Sequence, residues 1–200
     1  MSDQAIKDLK KDIYLMLHKS LEMLEHIEDA HVKNKISALD QAEDLAKDIQ
    51  VKEDRLTEAL SKIAAGSDDA RKLLAVPAHI EKIAYNLRRL SDGIRAKIKE
   101  GLLFSDKAMQ ETGSLFAKGK DILKKAGDAA VTSNATLAEA VRTESDALVK
   151  MADSFATQHE DRLVAGECSP KTSSTYLCIL YSFEDAVSHT KEVVKRLTSK

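Results

Sequence analysis

The stretch AHIEKIAYNLRRLSDGI, residues 78–94, decides the fold class. Its apolar residues recur at spacings of three and four, which places them on one stripe of a helix that packs against other helices. These apolar residues are Ile80, Ile83, Leu87, Leu90 and Ile94. The same spacing recurs along most of the chain, and no segment alternates apolar and polar residues as a half-buried strand does. The sequence therefore predicts an all-α protein.

The composition bounds the class of protein. Hydrophobic residues make up 43% and charged residues 32% of the 200 residues, which is typical of a folded, soluble domain. The net charge of −2 argues against a nucleic-acid-binding face, and no apolar run is long enough to cross a membrane. The first residues lack the apolar core of a signal peptide. We therefore expect a cytoplasmic protein that binds no nucleic acid and does not insert into a membrane.

The pattern divides into six long helices, because the chain contains only two prolines and seven glycines. Stops are predicted at Gly66 and Gly101, and loops over 127–136 and 166–174. The stop at 32–35 is weak and leaves the first two helices nearly continuous. Gly113 and Gly119 are predicted to interrupt the fourth helix, over about 102–126. Pro77 either kinks the third helix or marks its first turn.

The two halves of the chain resemble each other. Residues 182–197 can be laid over residues 79–94, which aligns Phe183 and Glu184 with Ile80 and Glu81. We interpret this as an internal duplication that forms one compact unit from two tandem three-helix bundles of antiparallel long helices. The predicted units are 1–100 and 101–200.

Glutamates interrupt two of the apolar stripes. Glu53 and Glu144 stand where the heptad spacing expects an apolar residue, either as edge residues that reach water or as acids that face Glu81 and Glu184. Glu53 and Glu81 each lie about 14 residues from a turn near Ser67, so antiparallel packing brings them to one height. Paired carboxylates suit a hard cation. The spacing in the second half fits this interpretation less well.

At these acidic positions the chain resembles the PhoU family, including the PhoU-like domains of sodium/phosphate cotransporters. The third helix of each PhoU repeat typically contains an acidic segment, D-L-E-R-I-G-D. Here HIEKIAY (79–85) and SFEDAVS (182–188) occupy that place, and AEDLAKDIQVKEDRLTEALSKIA (42–64) resembles the family's second helix. The resemblance spans nearly the whole chain and rests on the helix pattern more than on identities.

The resemblance implies a metal site that this sequence matches only in part. The family motif pairs an acid with an aspartate four residues later, for iron or another metal, but Tyr85 and Ser188 stand at the later position here. The candidate metal ligands are Glu53, Glu81 and Glu184, with His79 and His189 as further candidates. We expect no resident cofactor; the alternative is one weakly held divalent ion or iron.

The sequence predicts no catalytic residue. A ferritin-like centre would need a second Glu-x-x-His beside Glu28 and His31, Cys168 follows a glutamate that disfavours a thiolate, and no glycine-rich phosphate loop is present. The resemblance implies a non-enzymatic regulator of phosphate homeostasis. Its expected partner is a phosphate transporter component or a sensor histidine kinase, and a homodimer is also open. The alternative is a generic helical-bundle adaptor or a metal-binding protein unrelated to phosphate.

Overall fold

The computed structural model describes residues 3–198, which form an all-α protein with no strand in that range. Six helices are long and one has six residues. In chain order the helices are α1 (Asp3–Lys33), α2 (Ile36–Ala64), α3 (Asp68–Leu73), α4 (Val76–Lys99), α5 (Asp106–Thr132), α6 (Ala135–Val164) and α7 (Pro170–Thr198). The predicted fold class is confirmed. None of the described helices is long and apolar enough to span a membrane.

The third predicted helix is two helices. Ser67 caps α3 by accepting a hydrogen bond from the Ala70 amide at 3.3 Å. The chain then breaks, and Pro77 lies in the first turn of α4. Proline is favoured there because its missing N–H has no acceptor in a first turn and its φ is already helical. Pro77 therefore marks a helix start rather than a kink. Gly101, with φ of 62°, ends the segment as predicted.

Two other predicted boundaries are wrong. The weak stop at 32–35 is a complete break, because Asn34 adopts a left-handed backbone with φ of 54° and the chain reverses into α2. The predicted loop 127–136 is mostly helical, since α5 continues to Thr132 before Ser133 turns left-handed. Asn134 then caps α6 through its side-chain oxygen.

The glycines of α5 do not interrupt the helix. A Cβ at Gly119 would lie 3.1 Å from the Phe183 ring and 3.2 Å from Leu24, so α1 and α7 approach the α5 backbone at this point. A Cβ at Gly113 would meet nothing within 4 Å, and this glycine is exposed. A glycine in a helical pattern thus marks close packing at one position and has no packing role at the other.

The helices pack in two groups of three long helices. Helices α1, α2 and α4 contact one another, and so do α5, α6 and α7. The most extensive contact in the molecule joins the groups through α4 and α7, and α1 packs on α5 beside it. Ile80 and Phe183 are buried as predicted, and the Phe183 ring meets Phe116 edge to face with centroids 5.0 Å apart. The division into repeated units 1–100 and 101–200 stays a prediction.

Candidate functional site

The acidic candidates of the first half lie at the edge of the core. Glu81 follows the buried Ile80 on α4 and is partly buried itself. It forms no hydrogen bond or ion pair with any described residue. Glu53 on α2 is also partly buried, and its carboxylate accepts a hydrogen bond from the Thr57 hydroxyl at 2.9 Å. Glu53 is therefore engaged within its own helix.

Glu184 has a different environment on α7. One of its carboxylate oxygens is buried and has no hydrogen-bond partner. Burial raises the pKa of Glu184 to about 7, and the negative charges of Asp153 and Asp185 add to that shift. A carboxyl group with this pKa is partly protonated at neutral pH.

The structure does not assemble the three glutamates into one centre. Across residues 3–198, no three histidine, cysteine, aspartate or glutamate side chains form a group that could hold a metal ion. Glu144, the stripe acid of α6, instead forms an ion pair with Lys125 of α5 at 2.6 Å. The assignment of Glu53, Glu81 and Glu184 as metal ligands stays a prediction.

Two histidines meet between α4 and α7. The Nδ1 atoms of His79 and His189 lie 3.3 Å apart, and the ring centroids are separated by 5.5 Å. Burial lowers the pKa of both imidazoles; for His79 the next cause is His189, and for His189 it is Lys82. The sequence named both as extra candidates, but they are 110 residues apart, so only the packing of α4 on α7 shows that they form a pair.

A buried polar network at the opposite end of α7 was missed from the sequence. Glu111 on α5 is 2% exposed and accepts two hydrogen bonds from the Arg162 guanidinium, at 2.9 and 3.1 Å. The Tyr176 hydroxyl donates to the same carboxylate. The side chain of His159, beside Tyr176, is hydrogen-bonded to Ser173 at 2.8 Å. Glu111 stands four residues before the buried Leu115, and this position on the apolar stripe was the available signal.

A second buried cluster explains the Glu28-x-x-His31 pattern. His31 is 1% exposed, its ring is hydrogen-bonded to the Thr112 hydroxyl at 3.0 Å, and burial lowers its pKa to about 4. Lys97 donates to the His31 carbonyl at 3.1 Å, at the end of α1. Glu28 forms an ion pair with Lys120 of α5. These contacts join α1 to α4 and α5. The side chains of Glu28 and His31 have different partners and do not act together as a pair of metal ligands.

Comparison with known proteins gives structural matches alone. No protein-family model and no curated protein sequence matches the chain. PhoU from Pseudomonas aeruginosa superposes with a TM-score of 0.89 at 13% identity, over 98% of this chain and 97% of that one. The phosphate transport system regulatory protein PhoU from Streptococcus pneumoniae superposes with a TM-score of 0.85 at 12% identity, over 98% and 94%. The chain has the PhoU fold.

The resemblance noted in the sequence is therefore confirmed at the level of the fold. The helix pattern that suggested it is a property of the backbone arrangement, and this arrangement can be kept at very low sequence identity. A shared fold does not by itself give a shared function, which depends on the residues of a particular surface or site.

An open cleft lies between the first half of α1 and the end of α5. It has a volume of 680 Å³, and it is lined by Lys7, Lys10, Lys11, Tyr14, Leu15, Asp128, Val131 and Thr132. Leu15 is 42% and Val131 53% exposed, which is high for large apolar side chains. Lys10 donates to Ser133 at 2.7 Å, whereas Lys7 and Lys11 have no ion-pair partner among residues 3–198. The cleft thus combines exposed apolar surface with an excess of positive charge, since three lysines and one aspartate line it.

Proposed function

We propose that this protein is a non-enzymatic, cytoplasmic regulator of phosphate homeostasis that acts by binding a phosphate transporter component or a sensor histidine kinase. The observation behind the proposal is the PhoU fold, which covers nearly the whole chain and both PhoU structures. The S. pneumoniae protein is described as a regulator of a phosphate transport system.

The interior supports a binding role rather than catalysis. The buried ionisable groups Glu111 and Lys97 are paired inside the protein, Glu111 with the partly buried Arg162 and Lys97 with the His31 carbonyl. The proposal requires no cofactor at Glu53, Glu81 and Glu184; one weakly held divalent ion or iron there is the alternative.

The docking surface in this proposal is the cleft between α1 and α5. Its occupant is an amphipathic helix of the partner whose apolar face covers Leu15 and Val131 and whose acidic residues meet Lys7 and Lys11. A groove that contains exposed apolar residues and is bordered by charge is how one protein commonly holds a helix of another. Charge complementarity sets the rate and the specificity of such an encounter.

The test uses purified partners rather than a lysate. The transporter ATPase subunit and the cytoplasmic part of the phosphate-responsive kinase, both from the source genome, are titrated against the full chain by calorimetry. We expect one of them to bind, and the double variant Lys7→Glu/Lys11→Glu to weaken binding at least about tenfold, or about 1.4 kcal/mol. Lys118→Glu is the matched control, because this exposed lysine of α5 lies outside the cleft.

Each result has a defined meaning. Binding that is lost in the double variant and kept in Lys118→Glu supports both the partner and the surface. Equal binding by all three proteins overturns the cleft as the docking surface. Failure of the wild-type chain to bind either partner overturns the phosphate role and favours a generic helical adaptor.

A further inference from the structure

We propose that His79 and His189 bind one borderline divalent cation such as Zn²⁺ through their two Nδ1 atoms. Zinc holds imidazole nitrogens at about 2.0–2.1 Å with tetrahedral geometry, so two such nitrogens lie about 3.3 Å apart. The two Nδ1 atoms of this pair are 3.3 Å apart. The site uses none of the three glutamates that the family motif suggests.

The two imidazole rings can bind a metal ion without a change in their total number of protons. In the metal-free protein, one Nδ1–H donates to the other ring's Nδ1. On binding, the ion takes the place of that hydrogen, and both rings carry their proton on Nε2. Metal binding requires neutral imidazoles, and burial already lowers the pKa of both rings. A neutral pair loses no net proton to the solvent when the ion binds.

The helices hold the two rings in place. Ile80, next to His79 on α4, and Thr190, next to His189 on α7, are fully buried, and α4 and α7 pack against each other. Ligands on packed helices keep their separation better than ligands on loops, so little ordering is required on binding. Water supplies the remaining positions of the ion, consistent with the absence of a third ligand within residues 3–198.

Charged side chains of both signs surround the histidine pair, so electrostatics there do not strongly favour or disfavour a bound cation. Lys82 and Arg196 place positive charge near the pair, while Asp185 and Glu192 place negative charge there. Selection therefore comes from the nitrogen ligands, which favour zinc, nickel and copper over magnesium and calcium.

The experiment is a Zn²⁺ titration of the full chain after treatment with a chelator, followed by competition with a chromophoric chelator. We expect one ion per chain, and a loss of affinity of at least about tenfold in His79→Gln and in His189→Gln, since even outer-shell partners of metal ligands account for about 10–100-fold. His18→Gln is the control. His18 lies on α1 with Glu22 one turn away at 3.2 Å, so it offers an exposed imidazole and carboxylate outside the pair.

A second measurement needs no variant. Nitrogen-15 spectra of the wild-type imidazoles are recorded as Zn²⁺ is added, and we expect the Nδ1 resonances of His79 and His189 to move together and both Nε2 atoms to carry a proton in the zinc-bound protein. Zinc that moves neither resonance, or affinity that falls in His18→Gln and not in the pair, overturns the proposal. Neither result depends on the partner titrations, so this inference can fail while the proposed function stands.

Discussion

Removal of the guanidinium from the buried Glu111 network is the sharpest test of how the second half is stabilised. The change is Arg162→Met, which keeps the apolar stem of the side chain and removes both hydrogen bonds to Glu111. Glu111 is 2% and Arg162 15% exposed, so the carboxylate loses its main counter-charge in a place that water does not reach. Breaking a buried pair from one side costs about 3–5 kcal/mol.

Two remaining partners place the expected loss at the lower end of that range. The Tyr176 hydroxyl still donates to Glu111, and the Lys107 ammonium lies 3.7 Å from it. We therefore expect Arg162→Met to lower the free energy of unfolding by about 3 kcal/mol. The assay is urea unfolding followed by far-ultraviolet circular dichroism.

The matched control is Arg142→Met on the same helix. Arg142 pairs with Glu139 on the surface, where both side chains are more than a third exposed, and such pairs contribute about 0–1 kcal/mol. The double variant Glu111→Leu/Arg162→Met removes both charges, and we expect it to be more stable than Arg162→Met alone. A loss in Arg162→Met no larger than that in Arg142→Met would refute the reasoning, because it would mean that Glu111 is hydrated.

Three further experiments, two of them with a control variant, test the acid on α7 and the packing. Glu184 has a folded pKa of about 7 against an ordinary value of 4.5, so the native state holds its proton more tightly and the wild type loses stability as pH rises through that window. We expect Glu184→Gln to be more stable than wild type by about 1–3 kcal/mol near pH 8 and equal to it near pH 4, measured by urea unfolding at each pH. Gly119→Ala should destabilise by about 1–3 kcal/mol through overpacking, whereas Gly113→Ala should stabilise by about 0.5–1 kcal/mol through helix propensity, both measured by thermal unfolding. Leu87→Ala should cost about 2–5 kcal/mol in urea and the exposed Val32→Ala within about 0.5 kcal/mol.

Contrary results are equally specific. Wild-type and Glu184→Gln stabilities that run parallel across the pH range would show that the buried oxygen of Glu184 is solvated. Alanine at Gly119 that is tolerated as well as alanine at Gly113 would mean that α1 and α7 can move away from α5. A Leu87→Ala protein as stable as Val32→Ala would place the apolar stripe of α4 outside the core.

The sequence predicts the helices well because apolar periodicity is a local signal. The stripe from Ile80 to Ile94 is buried as expected, and the stop at Gly101 is correct. The errors come from residues whose role depends on distant neighbours. Gly119 was interpreted as an interruption because its partner Phe183 lies 64 residues later, and nothing local shows that the two meet.

The candidate site, like the fold, could be predicted only where the signal in the sequence is local. Spacing along a helix places Glu81 next to the core, but it gives no information on which residue faces it across α2 or α7. The meeting of His79 with His189 and of Glu111 with Arg162 depends on how long helices are paired, so single-helix patterns could not reveal either contact. The stop at 32–35 was predicted to be weak because this segment has no glycine or proline, but the left-handed backbone of Asn34 ends the helix there.

The contact between α4 and α7 sets the order of events during synthesis. Helix α4 ends at Lys99 and α7 at Thr198, so the ribosome must add a further 99 residues before the apolar face of α4 can be fully covered. At about 5–20 residues per second, that face stays open on the nascent chain for about 5–20 s. The first three long helices can form a hairpin and a partial core in that time, but they still present an apolar strip as long as α4. We expect this exposed apolar strip to be a surface that a ribosome-associated chaperone can bind, and slower translation within the second half to extend its exposure.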